Sequence, residues 1–106
     1  MIIKSGNVKT IEMFKGVHRK TLAVSEKMML VEFNFKKGSI VPHHTHPNEQ
    51  IGYIVKGKVK LKIGEKEHLL ENGDSYYIPP NIEHSATLIE ESTIIDIFSP
   101  PREDYK

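Results

Sequence analysis

From Lys58 to Ile63 the chain reads Lys-Val-Lys-Leu-Lys-Ile, apolar at every second residue and lysine between. On an extended backbone successive side chains point to opposite faces, so this run is a strand with one buried and one solvated face. Period two recurs along the chain. In Met28–Phe35, Met29, Val31, Phe33 and Phe35 share one side, with Glu32 and Asn34 opposite. Ile51–Val55, Ser75–Ile78, His84–Ile89 and Thr93–Phe98 read the same way. Turn residues break these runs at short intervals, at Lys56-Gly57, Gly64-Glu65-Lys66, Asn72-Gly73-Asp74 and Pro79-Pro80-Asn81. Gly, Asn and Pro supply the backbone conformations that tight connections need. Many short strands joined by tight turns specify an all-β antiparallel sandwich or barrel. A helix near Thr10–Gly16 is a secondary expectation.

A chain of 106 residues supports one core, so a single domain over residues 1–106 is expected. Fifteen Lys and Arg against fourteen Asp and Glu leave a net charge of +1 with His neutral. That balance lacks the basic excess of an electrostatic nucleic-acid binder, so no nucleic-acid partner is expected. There is no cysteine, which excludes disulfides, thiolate zinc sites and cysteine nucleophiles. No run approaches the roughly 18 apolar residues of a membrane span. The first dozen residues are polar, so neither a membrane segment nor a signal peptide is expected, and the location is expected to be cytoplasmic.

Six residues are histidine, and three of these lie within four positions, in Pro42-His43-His44-Thr45-His46-Pro47. Side chains at i and i+2 of an extended segment share a face, so His44 and His46 converge while His43 points away. Pro47 ends that segment, and a tight turn would let the next strand pair antiparallel with it and return Gln50 to the imidazoles. Gln50 shares its face with Gly52 and Ile54, and Gly52 would leave space beside a metal. His84 opens a later strand after the Pro79-Pro80-Asn81 turn. Three neutral imidazoles and one amide oxygen suit a divalent first-row transition metal, whether zinc, nickel, iron or manganese, with positions open for water or substrate. A His-x-His pair on a strand also occurs without a metal, and spacing alone does not decide the role of His84. His18 and His68 stand among charged residues and are expected at the surface, and His43 at the surface or behind the ligands.

These residues resemble the cupin pattern. Its first motif runs glycine, five residues, His-x-His, three or four residues, glutamate, six residues, glycine. Gly38, His44, His46, Gln50 and Gly57 match every interval, with Gln50 in place of the glutamate. The second motif matches at Gly73, Pro79 and His84, with Asn81 for a glycine and Leu88 for a terminal asparagine. Asn tolerates positive φ, so Asn81 can serve the same turn. The resemblance implies a single-domain cupin, a double-stranded β-helix or jelly-roll barrel, with metal-site motifs at 38–57 and 73–88. A neutral ligand set would leave the full charge of a divalent ion uncompensated, which favours an anionic substrate such as a carboxylated sugar.

Further segments, Gly16–Lys20, His44–Gln50 and Asp96–Tyr105, are similar to the small pectin-degradation cupins, which linearise 4,5-unsaturated uronates into open-chain keto sugars. That resemblance implies a metal held by His44, His46, Gln50 and His84, with Asp96, Phe98 and Arg102 completing the site. Asn48 stands where relatives often carry a histidine. The residues themselves support Asp96, an ionisable group on the face of Ile94 and Phe98, where burial raises a carboxyl pKa and a nearby cation lowers it. Such a group can act as general acid or base; the alternative is an ordinary Asp on a strand whose other face packs on a second subunit. Arg102 follows Pro100-Pro101, and its planar fork suits a carboxylate, or a salt bridge within the charged tail. Besides uronate linearisation, the same site would serve a dioxygenase or other redox enzyme acting on a small enol, or a non-catalytic module that binds a small acid. A homodimer is expected, since a second subunit commonly covers the edges of small β-barrels.

Overall fold

Ten strands and two short 3-10 turns make up the computed structural model, which describes residues 1–106. The strands are β1 (Ile11–Phe14), β2 (Val17–Val24), β3 (Met29–Phe35), β4 (Ile40–His44), β5 (Glu49–Lys56), β6 (Lys58–Ile63), β7 (Lys66–Glu71), β8 (Ser75–Ile78), β9 (His84–Leu88) and β10 (Ser92–Ser99). They form a six-stranded sheet in the order β1-β2-β3-β10-β5-β8 and a four-stranded sheet in the order β4-β9-β6-β7. Every pairing is antiparallel. The ladders stay separate, so the two sheets face each other without closing into one continuous barrel ladder. No helix is long and apolar enough to cross a membrane.

Alternation sets the core. β3 buries Met29, Val31, Phe33 and Phe35, and β10 buries Ile94 and Phe98. β6 buries Val59 and Leu61 and leaves Lys60 in solvent. These side chains meet between the sheets, where burying each large apolar group contributes about 1.5–3 kcal/mol. The outer face of the larger sheet is also apolar. Leu30, Ile97, Ile51 and Tyr77 stand in one cross-strand row through β3, β10, β5 and β8, and Ile97, Ile51 and Tyr77 are exposed.

Two expectations are corrected. Thr10–Gly16 contains no helix: β1 pairs with β2 as a hairpin, and the turn at Lys15-Gly16 uses a positive φ of 80° at Gly16. The segments bearing His44 and Gln50 do not pair with each other. β4 lies in the small sheet against β9, whereas β5 lies in the large sheet between β10 and β8. Residues 45–48 cross from one sheet to the other instead of closing a hairpin, and the His46 carbonyl accepts a hydrogen bond from Asn81 N–H at 2.9 Å.

Gly57 makes another crossing between the sheets, from β5 to β6, with φ at 114°. A Cβ there would overlap the side chain and backbone of Ser92. Ser92 is buried and cannot yield easily, because its hydroxyl accepts from Lys58 N–H at 3.2 Å and donates to the Glu90 carbonyl at 2.8 Å. Gly57→Ala is therefore expected to destabilise the fold by at least about 1–3 kcal/mol, measured as a lowered midpoint of urea unfolding.

Candidate metal centre

His44 ends β4 and His84 begins β9, and the two are direct partners in the antiparallel ladder. His46 lies two residues beyond β4, and Gln50 reaches the group from β5 in the opposite sheet. The imidazole centroids are 4.2 Å apart for His44–His84, 4.9 Å for His46–His84 and 5.7 Å for His44–His46. One ring nitrogen from each histidine falls within 4.8 Å of the others. Sequence spacing brings His44, His46 and Gln50 together through a hairpin and adds His84 from a later strand; the fold joins all four across two facing sheets.

The backbone settles the state of each ring. The Nδ1 atoms of His44, His46 and His84 each lie 2.9 Å from a main-chain carbonyl, of Pro42, Asn48 and Ile82 respectively. A carbonyl can only accept, so each Nδ1 donates, and in a neutral ring Nε2 keeps a bare lone pair. Burial lowers the His46 pKa and takes that of His84 down to about 4, which keeps both rings neutral. His84 Nε2 is buried with no hydrogen-bond partner. His46 Nε2 faces Gln50 Oε1 at 3.0 Å, two acceptors with no hydrogen between them. An orphaned lone pair beside two opposed acceptors is poorly satisfied by protein alone, and a cation would satisfy all of them. Nitrogen and amide-oxygen donors suit a divalent first-row metal, and the carbonyls behind the rings are the usual outer support of ligating histidines. The residues fit the group.

Asp96 and Phe98 sit on the inward face of β10, registered with Gly52 and Gln50 of β5. Asp96 is only 4% exposed. Burial pushes its pKa up to about 6 against the opposing pull of Tyr76, Gln50 and Arg102. The Tyr76 hydroxyl donates to Asp96 Oδ1 at 2.5 Å, and burial, then Asp96, push the phenol well above its ordinary range. The room expected beside Gly52 is taken, because a Cβ at Gly52 would overlap Tyr76 and Asp96. Phe98 is fully buried, with its ring edge-on to those of His46 and Tyr105 at 5.6 Å from each. Arg102 stacks on Tyr105 at 3.9 Å and Phe98 at 5.3 Å, and its fork holds the exposed Asp104 at 3.0 Å. A cavity of about 260 Å³ between the sheets is lined by His44, Gln50, His84, Asp96, Phe98 and Arg102 together with a larger apolar wall.

Sequence reasoning missed Tyr76, Arg19 and Tyr105. Arg19 is buried on the inward face of β2. Its Nη1 donates to the Tyr105 carbonyl at 2.9 Å and to Thr21 Oγ1 at 2.8 Å, while Thr21 also donates to that carbonyl. Asn48 is buried as well, and donates to the Pro100 carbonyl at 2.6 Å. The tail carrying Arg102 is thus fastened on both sides. An arginine in line with Val17 and Thr21 was a visible signal, since a polar residue on an apolar face needs a buried partner. His43, paired with Glu83 at 2.9 Å, and the exposed His68 lie outside the cluster, as does His18 at 3.6 Å from Glu12.

A family model described as Cupin domain matches residues 31–98. The pectin degradation protein KdgF of Dickeya dadantii is 35% identical over 96 residues, spanning 89% of this chain and 87% of that protein. The solved structure of KdgF from Halomonas sp. superposes with a TM-score of 0.93 at 29% identity, covering 100% of this chain and 98% of its own. An RmlC-like cupin from Shewanella frigidimarina superposes with a TM-score of 0.94 at 28% identity, over 99% of this chain and 95% of its own.

Metal binding to the folded state alone raises stability by mass action. Zinc or nickel at roughly 100 times its Kd should add about 2.7 kcal/mol, seen as a higher Tm in calorimetry. His84→Ala should abolish that rise, and a chelator should reverse it in the native chain.

Proposed function

The chain belongs to the cupin family, and on that premise we propose that it is a metal-dependent enzyme that linearises 4,5-unsaturated uronates during uronate breakdown. The supporting observation is the juxtaposition of the three-histidine cluster with a cavity that His44 and His84 share with a buried carboxylate at Asp96 and a guanidinium at Arg102. The likeness to a pectin degradation protein points to the substrate class. At about 260 Å³ the cavity lies below the roughly 300–1,000 Å³ of drug-sized pockets, a size for one sugar ring.

His44, His46, His84 and Gln50 hold the metal in this reading. A bound divalent ion supplies electrophilic polarisation of a substrate oxygen. Arg102 binds the uronate carboxylate, exchanging its solvent-exposed partner Asp104 for the substrate. Asp96, its Oδ1 occupied by Tyr76, takes the proton of the anomeric hydroxyl through its other oxygen. The bond between C1 and the ring oxygen then breaks, giving an aldehyde at C1 and an enolate at C5. Return of the same proton from Asp96 to C4 converts the enolate into a ketone and removes the double bond. The product is an isomer of the substrate, with no oxidant or reductant involved. Phe98 packs beside His46 and shapes the wall behind the sugar.

The reading includes a homodimer, in which the exposed row of Ile51, Tyr77 and Ile97 is covered by a second copy. Sedimentation equilibrium at micromolar concentration should give twice the chain mass, and Ile51→Lys should give the monomer; a monomeric native chain would exclude this part. For the reaction, the metal-loaded protein should accelerate the loss of ultraviolet absorbance of an unsaturated uronate monomer made by a polysaccharide lyase. Asp96→Asn is expected to slow it about 10²–10⁴-fold. Arg102→Ala should chiefly raise KM. An Asp96→Asn protein at full rate would overturn the role of Asp96, and a native protein without effect would overturn the reaction itself.

A further inference from the structure

Gln50 presents two atoms of nearly equal shape and opposite chemistry. An amide oxygen has lone pairs to offer a cation, whereas the pair on the amide nitrogen is delocalised into the carbonyl. A glutamate would present an oxygen whichever way it turned. A glutamine in this place therefore needs a neighbour that decides which atom faces the three histidines.

We propose that Tyr76 and Asp96 make that choice: Tyr76, reaching across Gly52, pins Asp96, and Asp96 holds the Gln50 amide nitrogen so that Oε1 is turned to the imidazoles. The register carries the argument. Tyr76 of β8, Gly52 of β5 and Asp96 of β10 form one cross-strand row, and Ile78, Gln50 and Phe98 form the next row on the same face. Asp96 is thus a diagonal neighbour of Gln50, within reach of a side chain of that length. The outer strands of a three-strand row are too far apart for ordinary side chains to bond over a filled centre. Gly52 leaves that centre open, and any Cβ there would overlap both partners. The Tyr76 hydroxyl occupies Oδ1. With Gln50 Oε1 toward His46, the amide nitrogen is left to turn toward the Asp96 carboxylate in the neighbouring row. Asp96 is the one acidic residue buried in the molecule, so no other carboxylate competes for the amide. Tyr76 and Asp96 act in this respect as positioning residues. The inference rests on the reading of the histidine cluster as a metal centre and is independent of the substrate.

The test is zinc affinity, by competition with a chromophoric chelator, in five proteins: native, Tyr76→Phe, Asp96→Asn, Gln50→Glu and the double variant Gln50→Glu/Asp96→Asn. Loss of an outer support of a ligand weakens binding about 10–100-fold, and this is the expected loss in Tyr76→Phe and in Asp96→Asn. In the Gln50→Glu background the sign should reverse. A glutamate needs no orienting, and the Asp96 carboxylate next to it is repulsive. The double variant should therefore bind zinc more tightly than Gln50→Glu alone, a reversal that a merely structural role would not produce. Native-like affinity in Tyr76→Phe and Asp96→Asn, or an equal loss from Asp96→Asn in the native and Gln50→Glu backgrounds, overturns the inference and leaves the metal centre standing. A native protein that binds no zinc overturns both. Should Asp96→Asn fail to fold, Tyr76→Phe decides alone, because it removes one oxygen and keeps the ring.

Discussion

Each strand of a two-sheet fold has a single inward face, and the core and the chemistry must share it. On β10 that face runs Ser92, Ile94, Asp96, Phe98, so a stripe that begins as core ends as functional site. On β5 it runs Gln50, Gly52, Ile54, with the polar residue again at one end and the apolar one at the other. Because register is a period-two property, a slip of one residue would turn Asp96 and Gln50 out to solvent along with Ile94 and Ile54. The apolar end of each strand therefore aims the polar end. Packing of Ile54, Ile94 and Phe98 is what holds two otherwise costly polar groups inside.

That arrangement makes the polar end electrostatically lopsided. Three imidazoles whose N–H groups are spent on main-chain carbonyls offer only lone pairs, and Arg102 lies nearby as a fixed cation. Asp96 is the sole anionic group buried with them, and it accepts a hydrogen bond from Tyr76. A divalent ion in such surroundings keeps most of its charge unanswered by protein. On the reading proposed above, such an interior favours ligands that bring their own negative charge.

The strands that were legible before any coordinates are those with one plainly apolar face, β3, β5, β6, β8, β9 and β10. The four that were not explain themselves. β2 places Arg19 and Thr21 inward, β4 carries Pro42 and two histidines, β7 leaves Leu69 exposed, and β1 is four residues long. In each, the hydrophobic contrast that reveals a strand is weak or missing. The histidines and Gln50 were legible as a convergent set, but the wrong partner strand was assigned to them, because local spacing suggests a hairpin and cannot foresee a crossing between sheets. Tyr76 was invisible for a related reason. Its meeting with Asp96 depends on two strands that flank a third, a relation between residues 52, 76 and 96 that no sequence window contains.

The tail from Pro100 to Tyr105 brings Arg102 to the mouth of the cavity, and both of its fasteners grip main-chain oxygen: Asn48 at Pro100, Arg19 and Thr21 at Tyr105. A grip on backbone is indifferent to the side chains strung between the two points. Residues 102–104 can consequently be exchanged while the strap stays seated, so this mouth can acquire a taste for a different ligand by point substitution without the scaffold being renegotiated. The fold hangs the charged side chains of this tail from moorings on main-chain oxygen.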